Sequence, residues 1–222
     1  MPTLPCFAAS DPAALMLHVV SPDGWRDRPG ASLAIAQGFA AKPGEWALLH
    51  DGTTLLGAMV GAAAARHYGA LPQALPENSL WRCGDADVAL GWALGAYRFT
   101  RFKPAKRGPA RLVPPDGFDA SPVAAIWRAR DLINTPANHL GPAELAAAVQ
   151  EVGAAHGASV RLIAGAELAE GFPAVAAVGA GSPRPPVVAV LEWGEAGAPL
   201  VALCGKGVCF DTGGLDLKPS AA

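Results

Sequence analysis

Apolar residues in the first part of the chain form short runs, which are typical of β-strands. The continuous apolar run 14–20 predicts a buried strand. Ranges 45–50 and 53–60 flank Asp51 and Gly52, and an Asp-Gly pair between two apolar ranges favours a tight β-hairpin. The pattern therefore predicts three strands before residue 61.

A longer pattern of apolar residues follows at helical spacing. Range 87–102 predicts a helix that is buried on much of its circumference, with Asp85 as its N-cap. Trp81 and Trp92 are interpreted as anchors of a core rather than as ligand platforms. Together with the strands, this pattern predicts a first α/β domain over residues 1–115.

The second part of the chain alternates between helical and strand patterns. Apolar residues at helical spacing over 123–133 predict a helix that ends near Asn134, because Pro136 disfavours helical geometry at the residue before it. Pro142 suits the first position of a second helix.

The pattern then predicts a strand at 159–163, a short helix at 166–169, and strands at 186–193 and 200–204. The last two are continuously apolar, which is typical of strands covered on both faces. Residues 116–222 are therefore predicted to begin a second α/β domain, layered as a sandwich.

Composition narrows the class of protein. Of the 222 residues, 51% are apolar and 16% are charged, which excludes disorder by composition. The net charge of −2 makes nucleic acid an unexpected main partner. No apolar run reaches the roughly 18 residues of a membrane span, and the first residues do not resemble a secretory signal. We therefore expect a cytoplasmic protein without membrane contact.

The cysteines support the same compartment. Cys6, Cys83, Cys204 and Cys209 form no CxxC pair and are too few for a disulfide framework. We expect them to be small buried apolar residues in a reducing cytosol.

A basic, proline-broken stretch occupies range 98–111 and continues toward residue 115. It has two interpretations: a solvated linker between domains, or a patch that contacts phosphate. The stretch lacks an aromatic platform, so the linker is favoured. Its basic residues are Arg98, Arg101, Lys103, Lys106, Arg107 and Arg111.

The candidate chemistry lies in the glycine-rich range 204–219, which follows an apolar run. A Walker phosphate loop and a dinucleotide fingerprint both fail here; Phe210 stands where the latter needs its third glycine. Asp211 lies in a tripeptide like that of aspartic proteases, but those enzymes need two such aspartates. A metal site remains, with Asp211 as a hard oxygen donor and Lys206 as a neutral amine donor. A surface ion pair is the alternative for Lys206.

Range 205–220 resembles the metal-binding signature of the leucyl (cytosol) aminopeptidase family. Range 130–138, Arg-Asp-Leu-Ile-Asn-Thr-Pro-Ala-Asn, resembles the second hallmark of that family. Ranges 178–182 and 185–186 also match, so the resemblance covers residues 123–220, and the first 115 residues match loosely.

The resemblance implies a two-metal peptide hydrolase, with residues 116–222 as the first part of an α/β/α catalytic domain that has a mixed sheet. It implies two divalent ions (Mn or Zn, with Mg as a further candidate), which hold the substrate and activate a water. By motif position, Lys206 and Asp211 are the metal ligands, and Asp211 also contacts substrate. Lys218 is implied as the catalytic lysine, which binds and polarises the scissile carbonyl. Peptides are the implied substrates, and a homo-oligomer, a hexamer, is the implied assembly.

The sequence departs from the family pattern in one respect. The family takes further carboxylate ligands and a catalytic arginine from segments after the signature, and this sequence ends at Ala222. We therefore expect the first part of a longer enzyme, inactive by itself, whose apolar ranges 186–193 and 200–204 remain exposed. The alternative function is a non-catalytic binding or assembly module that contacts DNA through the basic stretch. The five histidines are scattered and are expected to be structural.

Overall fold

The structure is a computed structural model and describes residues 4–209. The chain divides after Asp131 into two compact units. The first unit is built on a five-stranded mixed sheet with strand order β2-β3-β1-β4-β5, in which only the β2–β3 pair is antiparallel. The predicted strand at 14–20 and the hairpin around Asp51 and Gly52 are confirmed. The strands are β1 Leu15–Val20, β2 Trp46–Asp51, β3 Thr54–Gly61, β4 Leu80–Arg82 and β5 Arg111–Val113.

Helices cover both faces of this sheet. Successive residues of a strand point to opposite faces, and β3 accordingly places Ala58 and Val60 in one core cluster and Met59 in the other. Trp81 and Trp92 are fully buried in the first cluster, which confirms both as core anchors. The elements around the sheet are α1 Ala31–Ala36, α2 Leu71–Ala74, α3 Ala86–Ala96, the start of α4 Ser121–Asn134, and 3₁₀ turns at Trp25–Asp27 and Ala65–His67.

Helix α3 begins as predicted and ends earlier than predicted. The carboxylate of Asp85 accepts hydrogen bonds from the amides of Asp87 (2.8 Å) and Val88 (3.2 Å), so this N-cap is confirmed. The prediction that the helix continues to residue 102 is wrong, because the backbone turns extended at Tyr97 (φ −53°, ψ 134°).

Two side chains of α4 donate hydrogen bonds to the last carbonyls of α3, where the helix ends. Trp127 Nε1 donates to the carbonyl of Ala93 (2.9 Å), and Arg130 Nη1 donates to that of Leu94 (2.6 Å). A helix leaves its last carbonyls without an internal partner, so these bonds satisfy groups that would otherwise need water. The first turns of α4 therefore pack with the first unit, and the division in contacts lies inside α4. The domain boundary at residue 115 stays a prediction.

The basic stretch is a loop within the first unit. It connects α3 to β5, both of which belong to that unit, so the interpretation as a linker between domains is wrong. Arg107 donates a hydrogen bond to the carbonyl of Leu75, and the amide of Gly108 donates to the Glu77 carboxylate (2.7 Å). These bonds fix the end of the loop before β5 begins.

The second unit pairs helices with a two-stranded sheet. Its elements, after the end of α4, are α5 Pro142–His156, β6 Ser159–Ile163, α6 Gly165–Gly171, α7 Pro173–Gly179 and β7 Val188–Glu192. Strands β6 and β7 are antiparallel. The predicted helix start at Pro142, the strands at 159–163 and 186–193, and the helix at 166–169 are confirmed. Among residues 4–209, no helix is both long enough and apolar enough to cross a membrane.

The apolar range 200–204 does not form the predicted strand. It is unpaired, and the side chains of Leu200 and Leu203 are each 94% exposed. A strand needs a neighbour for its backbone groups, and the described residues supply none there. In β7, Val190 and Leu191 are about 40% exposed. The prediction that this strand is covered on both faces is therefore wrong. The expectation that these two ranges leave apolar surface exposed is confirmed.

Two glycines let α3 approach the neighbouring 3₁₀ turn. A Cβ at Gly91 would lie 2.0 Å from the carbonyl oxygen of Ala65, and one at Gly95 would lie 1.9 Å from that of Gly69. Backbone atoms cannot move aside as a flexible side chain can, so this packing requires glycine at both positions.

Gly95→Ala therefore tests the packing of α3. Overpacking costs about 1–3 kcal/mol, which exceeds the ~1 kcal/mol that alanine contributes over glycine inside a helix. We expect the free energy of unfolding, measured by urea denaturation with tryptophan fluorescence, to fall by about 1 kcal/mol, the overpacking cost less the gain from alanine. Gly84→Ala is the matched control, because a Cβ there meets nothing within 4 Å. An unchanged midpoint for Gly95→Ala would contradict this packing.

The four cysteines fall into two groups. Cys6 and Cys83 are buried as predicted; burial raises the pKa of the Cys6 thiol to about 12 and also raises that of Cys83. The prediction of burial is wrong for Cys204, which is exposed, and Cys209 is half-buried. The exposure of Cys204 follows from the missing strand pairing of range 200–204.

Thiol labelling should separate these groups. The thiolate is the reactive form, so a neutral maleimide at mildly alkaline pH should label Cys204 first, Cys209 more slowly, and Cys6 and Cys83 only after unfolding. Desolvation raises the pKa of the Cys209 thiol, which reduces its thiolate fraction at a given pH. Mass mapping of the labelled peptides gives the order, and fast labelling of Cys6 in the folded chain would refute it.

Candidate active site

The structure describes one of the three predicted site residues. Lys206 lies in the unpaired segment 201–209, and its side chain is exposed. Asp211 and Lys218 lie outside the described residues, so the meeting of the three head groups stays a prediction.

Segment 201–209 ends against the first turn of α5. A Cβ at Gly207 would lie 2.7 Å from Cδ2 of Leu145, so the absence of a side chain lets the backbone approach this helix closely. The amide of Val208 donates to the carbonyl of Lys206 (3.0 Å), which turns the segment there. Cys209 Sγ lies 3.6 Å from the carbonyl oxygen of Gly207. The start of the glycine-rich signature is thus placed beside α5.

The first turn of α5 is closed by a carboxylate. Glu144 Oε2 accepts a hydrogen bond from the amide of Gly141 (2.9 Å), the reciprocal half of a capping box. Hydrogen bonds from its own amide and from that of Gly141, and then the charge of Arg184, hold the pKa of Glu144 below its usual range. The carboxylate is therefore ionised at neutral pH.

Arg184 connects this turn to the preceding loop. Its Nη1 donates to the carbonyl of Ala137 (2.6 Å), and its Nη2 forms an ion pair with Glu144. The guanidinium covers buried Gly141, where a Cβ would lie 2.2 Å from Cζ of Arg184. The amide of Arg184 donates to Oγ of Ser182 (3.1 Å), which fixes its own loop.

The structure therefore gathers three segments that the sequence analysis singled out separately. They are the Asn-Thr-Pro-Ala-Asn loop, which contains Ala137, the loop 178–186, which contains Arg184, and the start of the signature. Cys209 lies within electrostatic range of Arg184 and Glu144, whose charges act on its pKa in opposite directions, with desolvation the larger effect.

Sequence reasoning missed three residues of this arrangement: Gly141, Glu144 and Arg184. A signal for Glu144 was present, because a glutamate three residues after a helix N-cap is typical of a capping box. Arg184 stands between two prolines, and no local pattern indicates that it reaches residues 40 and 47 positions away.

The first residues of the 130–138 hallmark have a structural role in the first unit. Besides the bond from Arg130 to α3, the hydroxyl of Tyr97 donates to Oδ1 of Asp131 (2.7 Å), and the Arg130 guanidinium lies over the Tyr97 ring. These contacts attach the helix α4 to the end of α3. They place Arg130 and Asp131 in the scaffold of the fold.

The described residues contain no cluster of the side chains that most often bind metals. Within residues 4–209, no group of three His, Cys, Asp or Glu side chains gathers in metal-binding geometry. A pocket of about 210 Å³ lies beside Ser182 and is lined by glycine, alanine, proline, leucine and serine residues of range 165–186. Its lining includes no charged side chain, so it offers no acid–base chemistry.

Two family models match the chain in succession. The model of the M17 aminopeptidase N-terminal domain matches residues 23–115. The model of the cytosol aminopeptidase family catalytic domain matches residues 127–222.

Similar proteins carry related names. The chain is 37% identical over 188 residues to a probable cytosol aminopeptidase of Rhodococcus opacus, an alignment that covers 72% of this chain and 35% of the relative. The crystal structure of cytosol aminopeptidase from Coxiella burnetii has a TM-score of 0.85 and 30% identity, covering 97% of this chain and 52% of that one. The chain thus spans about a third of the length of its curated relatives.

A second similar structure is that of an enzyme in complex with a metal ion. The bottromycin maturation enzyme BotP, in complex with Mn, has a TM-score of 0.63 and 26% identity, covering 81% of this chain and 45% of that one.

The mixed α/β fold predicted from the sequence matches these structures. The successive matches of an N-terminal and a catalytic domain, the shared fold and the shared signature lead to one conclusion: the chain belongs to the cytosol (leucyl) aminopeptidase family, M17.

Proposed function

We propose that this chain supplies part of the active site of a metal-dependent aminopeptidase, which removes N-terminal residues from peptides. One observation carries the proposal: the catalytic-domain model matches range 127–222, which contains Lys206, Asp211 and Lys218. The manganese bound by the related enzyme BotP supports a divalent cation of this kind, with zinc and magnesium as alternatives.

The three residues have distinct proposed roles. Bound divalent ions of this type supply a nucleophilic water at neutral pH. Lys206 donates through a neutral amine. Asp211 donates through an ionised carboxylate and also contacts substrate. Lys218 stays charged and donates hydrogen bonds to the substrate carbonyl, where negative charge develops in the transition state.

The donor chemistry fits a divalent cation, but the number of donors is too small. A two-metal site relies on several shared carboxylates, and Lys206 and Asp211 are only two donors. We therefore propose that these 222 residues act together with further donors of a longer polypeptide. A cytoplasmic location and a homo-oligomeric, hexameric assembly belong to the same proposal, supported by the names of the relatives and the family resemblance.

Two lysine variants separate binding from catalysis. In an active polypeptide that contains this chain, Lys218→Ala should lower kcat for a dipeptide by about 10²–10³-fold, as loss of an oxyanion donor does, while metal content stays near the parent value. Lys206→Ala should reduce metal content as well as activity. Kinetics and elemental analysis of the same preparations provide the measurement, with the exposed loop variant Lys103→Ala as control. Full metal content in Lys206→Ala would remove the ligand assignment.

The polypeptide of residues 1–222 should not hydrolyse peptides when supplied with manganese. The physical reason is the small donor set, which leaves a divalent ion weakly held. Hydrolysis of leucyl-p-nitroanilide, with and without a chelator, is the assay. Chelator-sensitive turnover by this polypeptide would contradict the proposed need for further donors.

A further inference from the structure

We propose that Arg184 is a positioning residue: its guanidinium fixes the turn of α5 against which the start of the metal-binding signature lies. The inference concerns the placement of segment 201–209, and only its catalytic consequence rests on the proposed function.

The partners of Arg184 support this role. The planar guanidinium can donate in two directions at once, and here Nη1 binds the Ala137 carbonyl while Nη2 binds Glu144. Glu144 in turn binds the amide of Gly141. The position of the first turn of α5 is therefore linked to two loops through one side chain.

Segment 201–209 has few other fixed points. Leu200, Val201 and Leu203 are at least 78% exposed. Among the described residues, the close approach of Gly207 to Leu145 brings the segment back to the protein. Leu145 follows Glu144 directly in α5, so a shift of this turn would move the surface on which Gly207 lies.

The expected effect is local. The Arg184 and Glu144 side chains are 35% and 48% exposed, and an ion pair with that exposure contributes little to global stability. The Arg161–Glu167 pair of the same unit is more exposed, at 70% and 53%, and is distant in sequence from the signature. It provides a matched control: an arginine–glutamate pair on the same unit whose loss should leave segment 201–209 unchanged.

Cys209 is a reporter of the segment that needs no activity. In a Cys204→Ser background, Cys209 is the most accessible thiol of the described residues, since Cys6 and Cys83 are buried. We expect R184Q to raise the maleimide labelling rate of Cys209 about tenfold, because the loss of a charge-assisted hydrogen bond favours local opening by that order. R161Q should label at the parent rate. Both variants should unfold at nearly the same temperature.

Two further variants keep the test decisive. R184K retains the charge but loses the two-directional geometry, so its labelling rate should lie between those of the parent and R184Q. E144Q breaks the same ion pair while Arg184 keeps its bond to Ala137, and it should also accelerate labelling, even if R184Q fails to fold. Rates are compared per thiolate, from their pH dependence, because the Glu144 charge itself raises the pKa of Cys209. Parent-like labelling in R184Q, or in E144Q should R184Q not fold, overturns the positioning role. Equal acceleration in R161Q overturns it as well.

Peptide hydrolysis measures separately whether the placement of segment 201–209 affects catalysis. In an active polypeptide containing this chain, R184Q should raise the manganese concentration for half-maximal activity about tenfold and change KM for the peptide little. A parent protein without metal-dependent hydrolysis refutes the proposed function, while Cys209 labelling still decides the role of Arg184. An active parent with unchanged manganese dependence in R184Q refutes the catalytic consequence.

Discussion

The first turn of α5 is held by the two-directional hydrogen bonding of one guanidinium. Arg184 joins the loop of Ala137 to the first turn of α5, and buried Gly141 leaves the space in which it lies. A lysine in its place would provide a compact charge without the planar geometry that binds a carbonyl and a carboxylate at once. The surface on which Gly207 lies is a consequence of this arrangement, so the start of the signature rests on a contact formed by residues outside it.

The first unit follows a similar principle at the end of α3. The carbonyls of Ala93 and Leu94 receive side-chain donors from α4, and an unsatisfied buried carbonyl would cost roughly 1–3 kcal/mol. Gly91 and Gly95 bring the same helix against the 3₁₀ turn at Ala65–His67. A motif that resembles an aminopeptidase hallmark therefore contributes through Arg130 to helix capping. Resemblance to a functional motif does not by itself assign chemistry to each of its residues.

The sequence predicted most elements of both units, because their signals are local. The apolar run before residue 21, the Asp51-Gly52 turn, the Asp85 N-cap and Pro142 each act through neighbouring residues, and the structure contains all of them. The errors occur where distant residues decide. Helix α3 ends at Ala96 because α4 binds its carbonyls, and range 200–204 is apolar enough for a strand but lacks a pairing neighbour among the described residues.

The sequence alone determined the family and most of the order of elements, since glycine, proline and charged residues at fixed spacing act locally and form a specific signature. The roles of Lys206, Asp211 and Lys218 stay predictions. Tertiary structure decided which segments meet. The link of Arg184 to Ala137 and Glu144 spans 47 and 40 residues. The basic stretch became an internal loop because β5 pairs with β4 after it. Such contacts depend on the packing of whole elements, and no local spacing records them.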